Sequence, residues 1–236
     1  MKIYGFQKVT LIDYPGEIAC TIFLFGCNFR CGFCHNPELI FENSGIEFQE
    51  FTEKEILDYL IERKKYLDGI CITGGEPLLS LDKEFLKKIK NIGYKIKIDT
   101  NGAFPERLKE FISEGLVDYV AMDVKSSKEK YKEVCGIEVD LKKVEESMRI
   151  ICGLKNYEFR TTIVRGIHGI DEMKKIAEWL NDICGKNPKK FFIQGFKNYD
   201  KFVDVSFNNK PDTDEKFLGE IKEVVKDYFG EVSVRV

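Results

Sequence analysis

Three cysteines within eight residues give this sequence its clearest chemistry. They are Cys27, Cys31 and Cys34, spaced C-x-x-x-C-x-x-C, and they follow an apolar run over residues 18–25 that predicts a buried strand. Thiolates are soft ligands that suit iron–sulfur clusters, and a loop this short can wrap its cysteines around one compact cubane. A cubane has four irons, so the fourth stays open unless a distant cysteine closes it. The spacing therefore predicts a catalytic cluster that binds a substrate directly.

Two other uses of the thiols stay open. A structural zinc site could recruit His35, although adjacent Cys34 and His35 side chains converge poorly on one tetrahedral ion. A disulfide framework is the other, yet eight cysteines spread over 236 residues, with no apolar signal stretch at the start, are typical of a reducing cytosol. We therefore expect a cytoplasmic protein whose remaining cysteines are mostly small core residues. These are Cys20, Cys71, Cys135, Cys152 and Cys184.

Length and charge are those of one ordinary globular domain. A chain of 236 residues with 43% hydrophobic content can bury a sizeable core. The formal net charge of −3 gives no reason to expect a nucleic-acid or membrane surface. No apolar run reaches the roughly 18 residues that a membrane span needs. We predict a single domain over residues 1–236, with an N-terminal β cover (1–16), a barrel core (17–196) and a C-terminal extension (197–236).

Strands and helices alternate after the cysteine loop, and a polar or glycine-rich stretch ends each predicted strand. With the strand before Cys27 there are six βα units, whose other strands we predict at 69–73, 95–98, 117–122, 157–164 and 190–193. Such alternation predicts a parallel sheet with right-handed crossovers, helices outside and chemistry at the carboxyl ends of the strands. We therefore predict an α/β fold, a partial six-stranded (βα) barrel of the TIM type that is open at one side.

Local signals predict the elements at the two ends of the barrel. Residues 2–6 and 8–12 alternate as two short pieces, which predict a small β-ribbon closed by the turn at 14–16. Thr52 and Glu55 form a T-x-x-E capping box ahead of a helix. At the other end we predict a helix from about 214 to 229 and a terminal strand at 232–236.

The cysteine spacing, with Phe33 before the last cysteine, strongly resembles the radical S-adenosylmethionine (SAM) enzymes. In that superfamily the amino and carboxylate groups of SAM chelate the open iron. An electron from the reduced cluster then cleaves the sulfonium to methionine and a 5′-deoxyadenosyl radical. The continuation from Cys34 to Pro37 resembles more narrowly the activating enzymes of glycyl-radical enzymes. The opening stretch 5–16 looks like the branch that activates anaerobic ribonucleotide reductases.

The strand-end stretches resemble the SAM site of that superfamily. The Gly-Gly-Glu-Pro stretch at 74–77 matches the element whose backbone groups bind the methionine amino group, and glycine allows so close an approach. Gln194 departs from pyruvate formate-lyase activases, which have a histidine near the nucleoside; an amide can still hydrogen-bond SAM. The SAM-site residues that the resemblance implies are Phe33, Cys34, His35, Gly74, Gly75, Glu76, Asp123, Val124, Lys125 and Gln194.

The same resemblance implies a monovalent cation. Asp99, Thr100 and Asp123 would bind it, and Lys125 would pair with the methionine carboxylate. Two carboxylates that share a site repel each other unless a cation or a sulfonium lies between them. The alternatives are a turn or N-cap role for Asp99 and a solvated charge for Lys125.

Histidines and arginines give weaker signals. His35 and His168 are the only histidines, so no His-centred triad can be assembled, and we expect His168 to be a loop residue. Arg160 and Arg165 either contact substrate anions or form salt bridges.

The resemblance implies an iron–sulfur enzyme that cleaves SAM reductively and takes a hydrogen atom from a glycine Cα of a partner. That partner would be a glycyl-radical enzyme, namely an anaerobic ribonucleotide reductase or a pyruvate formate-lyase-like protein. Flavodoxin or ferredoxin would donate the electron, and neither nucleic acid nor membrane would be involved. Two alternatives stay open: a radical SAM enzyme for a small molecule or RNA, and a non-enzymatic metal-binding or redox-carrier module.

Overall fold

The computed structural model describes residues 1–42, 49–185, 187–199 and 201–236. Its strands are β1 (Ile3–Thr10), β2 (Ala19–Leu24), β3 (Gly69–Gly74), β4 (Lys95–Thr100), β5 (Tyr119–Asp123), β6 (Tyr157–Ile163), β7 (Lys190–Gly195) and β8 (Glu231–Arg235). Its α-helices are α1 (Glu53–Arg63), α2 (Lys83–Ile92), α3 (Pro105–Ser113), α4 (Tyr131–Cys135), α5 (Leu141–Cys152), α6 (Ile170–Cys184) and α7 (Glu215–Val225). Within these ranges, no helix is long and apolar enough to cross a membrane.

The strands follow their sequence order, β1 to β8, in one eight-stranded sheet. The pairs β2·β3, β3·β4, β6·β7 and β7·β8 are parallel, and β1 runs antiparallel to β2. The structure thus confirms the α/β fold with a mostly parallel, open sheet. The six predicted βα strands are β2 to β7, and the N-terminal and C-terminal strands extend the sheet at its two edges.

The chain divides into two compact units. The N-terminal unit comprises residues 1–28, 36–100 and 106–120, and the C-terminal unit comprises residues 29–35, 101–105 and 121–236. This boundary passes through the cysteine loop, so that Cys27 belongs to the first unit, and Cys31 and Cys34 to the second.

In the N-terminal unit, helix α1 begins at the predicted capping box. The Thr52 hydroxyl accepts a hydrogen bond from the Glu55 N–H at 3.2 Å, and the Glu55 carboxylate accepts one from the Thr52 N–H at 2.7 Å. Ile56 and Leu60 of this helix are fully buried. The capping box and the apolar stripe therefore both stabilise helix α1, as the sequence predicts.

The predicted N-terminal β extension is confirmed, but its division into two short strands is wrong. Residues 3–10 form one strand, β1, which pairs with β2 from Ile3↔Leu24 to Thr10↔Ala19 through two register shifts. The irregular pairing explains why the alternation looks broken in the sequence. The turn that follows is as predicted: the Glu17 N–H donates to the Tyr14 carbonyl at 3.2 Å, and Gly16 takes the positive φ of 80° that glycine tolerates.

The expectation that the remaining cysteines are core residues holds for three and fails for two. Cys20, Cys71 and Cys135 are fully buried. Cys152 and Cys184 instead form a disulfide, with their Cα atoms 5.6 Å apart. Each is the last residue of its helix, α5 or α6. The packing of α5 on α6 brings the two helix ends within bonding reach, which the sequence spacing does not reveal.

Candidate active site

The C-terminal unit fixes the second half of the cysteine loop by main-chain hydrogen bonds. The Cys34 N–H closes a turn on the Cys31 carbonyl at 3.0 Å. The carbonyls of Gly32 and Cys34 accept from the N–H groups of Asp204 and Val203, each at 3.0 Å. The C-terminal extension therefore holds the loop that carries two of the three predicted cluster ligands.

Aromatic side chains pack around this turn. The Phe33 ring contacts the rings of His168 and Phe207, with centroids 6.3 and 6.2 Å apart. A Cβ at position 32 would lie 2.9 Å from the Phe207 ring, so Gly32 leaves room that no other residue leaves. The more exposed His35 ring lies against Tyr199, with centroids 4.8 Å apart.

The Cys31 thiol lies in surroundings that favour its thiolate. A hydrogen bond from Cys135 lowers the pKa of Cys31, and the charge of Lys125 acts in the same direction, against the effect of burial. The Arg30 N–H donates to the Cys135 carbonyl at 2.8 Å, which keeps α4 beside the loop. Because the thiolate is the form that binds iron, these surroundings fit a cluster ligand.

The three predicted ligands are all outside the disulfide. Cys27 is half-buried in the N-terminal unit, and Cys31 and Cys34 lie in the C-terminal unit. Among the residues that the structure describes, no three His, Cys, Asp or Glu side chains are arranged to hold one metal ion. A cubane takes one thiolate on each iron, so its ligands need not converge on a point.

At the end of β5, Asp123 is held between two cations. Its carboxylate accepts from Lys125 Nζ at 2.9 Å and from Arg160 Nε at 2.8 Å. Burial alone would raise the pKa of Asp123, but Arg160 and Lys125 outweigh it and hold the pKa well below its usual range. Burial would likewise lower the pKa of Lys125, and the Asp123 charge raises it instead. Lys125 thus stays an ammonium in a largely buried place.

The two arginines that the sequence singled out both form ion pairs. Arg160, besides Asp123, approaches the fully buried Glu158 at 3.9 Å, and Arg235 binds that same carboxylate through two nitrogens at 3.0 and 3.2 Å. Arg165 pairs with Asp214 on the surface at 2.5 Å. The salt-bridge alternative therefore describes both side chains in this structure.

His168 is the site feature that sequence reasoning missed. It is a loop residue, as expected, but it is fully buried. Its Nδ1 accepts from the Val164 N–H at 3.1 Å, so the ring's proton lies on Nε2, which donates to the Lys125 carbonyl at 2.8 Å. Burial lowers the pKa of His168, which keeps the ring neutral. No spacing in the sequence indicates this contact, because 43 residues separate its partners.

The backbone of Val124 is also occupied. Its N–H donates to the Arg160 carbonyl at 2.8 Å, and its carbonyl accepts from the Thr161 hydroxyl at 2.8 Å. Together with His168, these bonds fix the main chain from which the Lys125 side chain extends.

In the N-terminal unit, the two glycines of the Gly-Gly-Glu-Pro stretch pack against the end of β2. The Gly75 N–H donates to the Leu24 carbonyl at 2.9 Å, and a Cβ at Gly75 would lie 2.1 Å from the Gly26 carbonyl oxygen. Gly74 has a φ of +128°, which side chains rarely adopt. Both glycines are therefore required by the fold, whether or not a ligand binds them.

Glu76 is fully buried and serves the same turn. Its carboxylate accepts from the Leu78 N–H at 3.0 Å and from the Thr100 hydroxyl at 2.8 Å. It caps the short 3-10 helix Pro77–Leu79. Glu76 thus links the ends of β3 and β4, and its observed contacts are those of a positioning residue.

Asp99 is the penultimate residue of β4 and forms an ion pair with a lysine of the same strand. The Lys97 ammonium binds the Asp99 carboxylate, and the Cys71 thiol lies 3.7 Å from both groups. Lys97 is 2% exposed and Asp99 15% exposed in their side chains. Gln194, on β7, is half-buried and lies in register with Thr162 and Arg235. The structure therefore gathers the predicted residues into two sets, one in each unit.

Comparison with known proteins assigns the family. The Radical SAM superfamily model matches residues 21–180. A Methanocaldococcus jannaschii protein, whose name places it among the glycyl-radical enzyme activating enzymes, is 34% identical over 99% of this chain and 95% of its own length. The pyruvate formate-lyase-activating enzyme of Clostridium pasteurianum is 33% identical over 52% of this chain and 52% of its own length, so this second similarity covers about half of each.

Solved structures share the fold. Streptococcus suis SuiB superposes with a TM-score of 0.68 at 15% identity, over 90% of this chain and 47% of SuiB, so the chain spans about half of that protein. SuiB with SAM bound gives a TM-score of 0.67. The chain belongs to the radical SAM superfamily, whose cofactors are a [4Fe–4S] cluster and SAM, and it is an enzyme of the glycyl-radical enzyme activating type.

Proposed function

We propose that this chain cleaves SAM reductively and generates a glycyl radical on a partner enzyme. The observation that carries the proposal is the cysteine loop: Cys31 has a lowered pKa beside Lys125, on a backbone fixed by main-chain hydrogen bonds. The full-length relative named as an activating enzyme supports the reaction type. With SAM bound, the cluster would supply the electron for 5′-deoxyadenosyl radical formation.

The chain's own residues bind and orient these groups. Cys27, Cys31 and Cys34 would each bind one iron and leave the fourth iron for SAM. Lys125 would bind the methionine carboxylate, because it is a largely buried ammonium whose backbone His168 holds in place. Positioning of this kind, together with exclusion of water, is what a protein contributes to cofactor chemistry.

The remaining predicted residues would line the SAM site. Gly74 and Gly75 would approach SAM at the end of β3, and Glu76 holds their turn through Leu78 and Thr100. Phe33 and His35 would flank the cluster loop. Gln194 would hydrogen-bond the nucleoside in place of the histidine of pyruvate formate-lyase activases.

The partner would be a glycyl-radical enzyme, namely an anaerobic ribonucleotide reductase or a pyruvate formate-lyase-like protein. The names of the relatives support a protein partner of this class. A cytoplasmic flavodoxin or ferredoxin would supply the electron, and we propose no role for nucleic acid or a membrane.

The test is anaerobic. The protein is reconstituted with iron and sulfide, reduced with dithionite and given SAM, and 5′-deoxyadenosine is measured by chromatography. We expect product from the wild type and from Cys20→Ala, a buried cysteine of the N-terminal unit, and none from Cys31→Ala. Full SAM cleavage by Cys31→Ala would show that the ligand assignment is wrong.

A second arm identifies the partner. Each candidate glycyl-radical enzyme is added to the reduced protein and SAM, and its glycyl radical is measured by electron paramagnetic resonance. We expect a radical on one candidate that depends on Cys31. SAM cleavage without a radical on any protein candidate would favour a small-molecule or RNA substrate, and no cleavage at all would favour a metal-binding module.

A further inference from the structure

The residues expected to bind a monovalent cation already contact other groups of the protein. Its three predicted ligands are Asp99, Thr100 and Asp123, and in the structure each one already has a partner from the protein. A monovalent cation needs oxygen ligands that carry negative charge or turn a lone pair toward it.

Asp99 is neutralised by its own strand. Lys97 precedes it by two residues, so both side chains project from the same face of β4. The Lys97 ammonium binds the Asp99 carboxylate directly and is almost wholly buried. In the neighbouring strand, Cys71 lies in register with Lys97, and its thiol is 3.7 Å from the Lys97 nitrogen. Because the Lys97 side chain is only 2% exposed, it has no room to adopt another rotamer and leave space for an ion.

The other two ligands also have partners within the protein. The Thr100 hydroxyl donates to the buried Glu76 carboxylate at 2.8 Å. Asp123 accepts from Lys125 on one carboxylate oxygen and from Arg160 on the other, at 2.9 and 2.8 Å. An added Na⁺ or K⁺ would have to compete with a protein cation at either carboxylate.

We propose that Lys97 supplies, as a built-in ammonium, the single positive charge that the resemblance assigns to a monovalent cation. SAM binding by this chain would then need neither Na⁺ nor K⁺. The inference rests on the proposed function, since it concerns the same site. An ammonium and a potassium ion carry the same charge, but the ammonium is tethered and requires no ion from solution.

The test uses the wild type and two lysine variants in salts of equal ionic strength. Lys97→Ala removes the ammonium, and Lys95→Ala is the matched control because Lys95 lies on the same strand, exposed and paired with Glu17. SAM affinity of the reconstituted protein and the thermal unfolding midpoint of the cluster-free protein are measured in potassium chloride, ammonium chloride and choline chloride.

We expect the wild type and Lys95→Ala to bind SAM with affinities that differ by less than about threefold among the salts, because the salts screen charges equally. We expect Lys97→Ala to bind SAM at least about tenfold more weakly in choline, with recovery in potassium or ammonium, and to unfold at a higher temperature in those two salts. A larger salt preference in the wild type, or none in Lys97→Ala, overturns the inference.

The outcomes separate this inference from the proposed function. If the wild type binds SAM in no salt, the proposed function is wrong, and the unfolding midpoints of the cluster-free variants still test the role of Lys97. If Lys97→Ala does not fold, the salt series on the wild type decides alone, with Lys97→Arg as the variant that keeps the charge.

Discussion

The ends of β4 and β5 carry the same pair of side chains in opposite order. At β4 the lysine comes first, Lys97 and then Asp99; at β5 the aspartate comes first, Asp123 and then Lys125. In both cases residues two apart form an ion pair, which lies on one face of the strand at β4 and just beyond the end of the strand at β5. The Lys97 side chain is 2% exposed, whereas that of Lys125 is 18% exposed.

The order of the two charges decides which one lies nearer the loop. In folds of this kind, ligands bind at the carboxyl ends of the parallel strands. The later residue of each pair is the one nearer that end, which is Asp99 on β4 and Lys125 on β5. The lysine is therefore the inner residue of the pair at β4 and the outer residue of the pair at β5.

Removing Asp99 should have the largest effect on stability. Asp99→Asn leaves the Lys97 ammonium buried without its carboxylate, which should lower the free energy of unfolding by about 3–5 kcal/mol. Asp123→Asn should lower it by only about 2 kcal/mol, because Lys125 and Arg160 are more exposed and Arg160 keeps Glu158. Urea denaturation of both variants measures the difference.

The pH dependence of the first variant sharpens this comparison. Without Asp99, the buried Lys97 ammonium has no carboxylate beside it, so the folded state disfavours its charged form. Stability is then lost as the pH falls and regained as it rises toward the unfolded pKa of lysine, about 10.4. Equal losses in both variants, with no recovery at alkaline pH, would contradict the different roles of the two lysines.

The disulfide distinguishes the two units. It closes a loop between residues 32 positions apart in the C-terminal unit, so the Cys152→Ser/Cys184→Ser variant should be about 3–4 kcal/mol less stable. Denatured cluster-free protein should show six reactive thiols before reduction and eight after it, because eight cysteines are present and six lie outside the bridge.

A reductant provides the control for that prediction. Reduction should shift the urea midpoint of the wild type to that of the double serine variant and leave the variant unchanged. Eight thiols without reductant would show that the bridge does not form in solution.

Replacing Lys125 should weaken SAM binding more than it lowers the stability of the fold. Lys125→Met leaves Asp123 paired with Arg160, but it removes the ammonium that would bind the methionine carboxylate. We expect SAM to bind roughly 30-fold or more weakly, which corresponds to about 2 kcal/mol. Equilibrium binding to the reconstituted protein measures this, with Lys128→Met, an exposed neighbour, as the control. Unchanged affinity would remove Lys125 from the site.

His168 should have the smallest effect. Its pKa is lowered by burial, whereas Lys125, Val164 and Glu172 oppose that shift, so its neutral form contributes stability that is lost as the pH falls below its unfolded pKa, near 6.5. His168→Gln should lower the free energy of unfolding by about 1 kcal/mol at neutral pH and remove part of the decline between pH 7 and 5. His35→Gln, at an exposed histidine, should leave that decline intact.

Much of the fold could be predicted from the sequence because it depends on short-range patterns. The capping box at Thr52, the six βα strands and the C-terminal helix that Asp214 caps all lie where local periodicity and capping place them. The N-terminal β extension is one strand and not the two that the sequence predicts, because its irregular register with β2 is a property of the pair. The disulfide was missed because it depends on how two helices pack.

For the candidate site, the sequence determined the residue types, and the tertiary structure decided their partners. The cysteine spacing and the strand-end aspartates identify the family and the chemistry, since ligand spacing and strand order are local. That Asp123 meets Arg160, that His168 binds the Lys125 carbonyl and that Thr100 binds Glu76 depends on residues 24 to 43 positions apart in the chain. Such contacts arise only when strands and helices pack, because sequence spacing constrains no distance at that range.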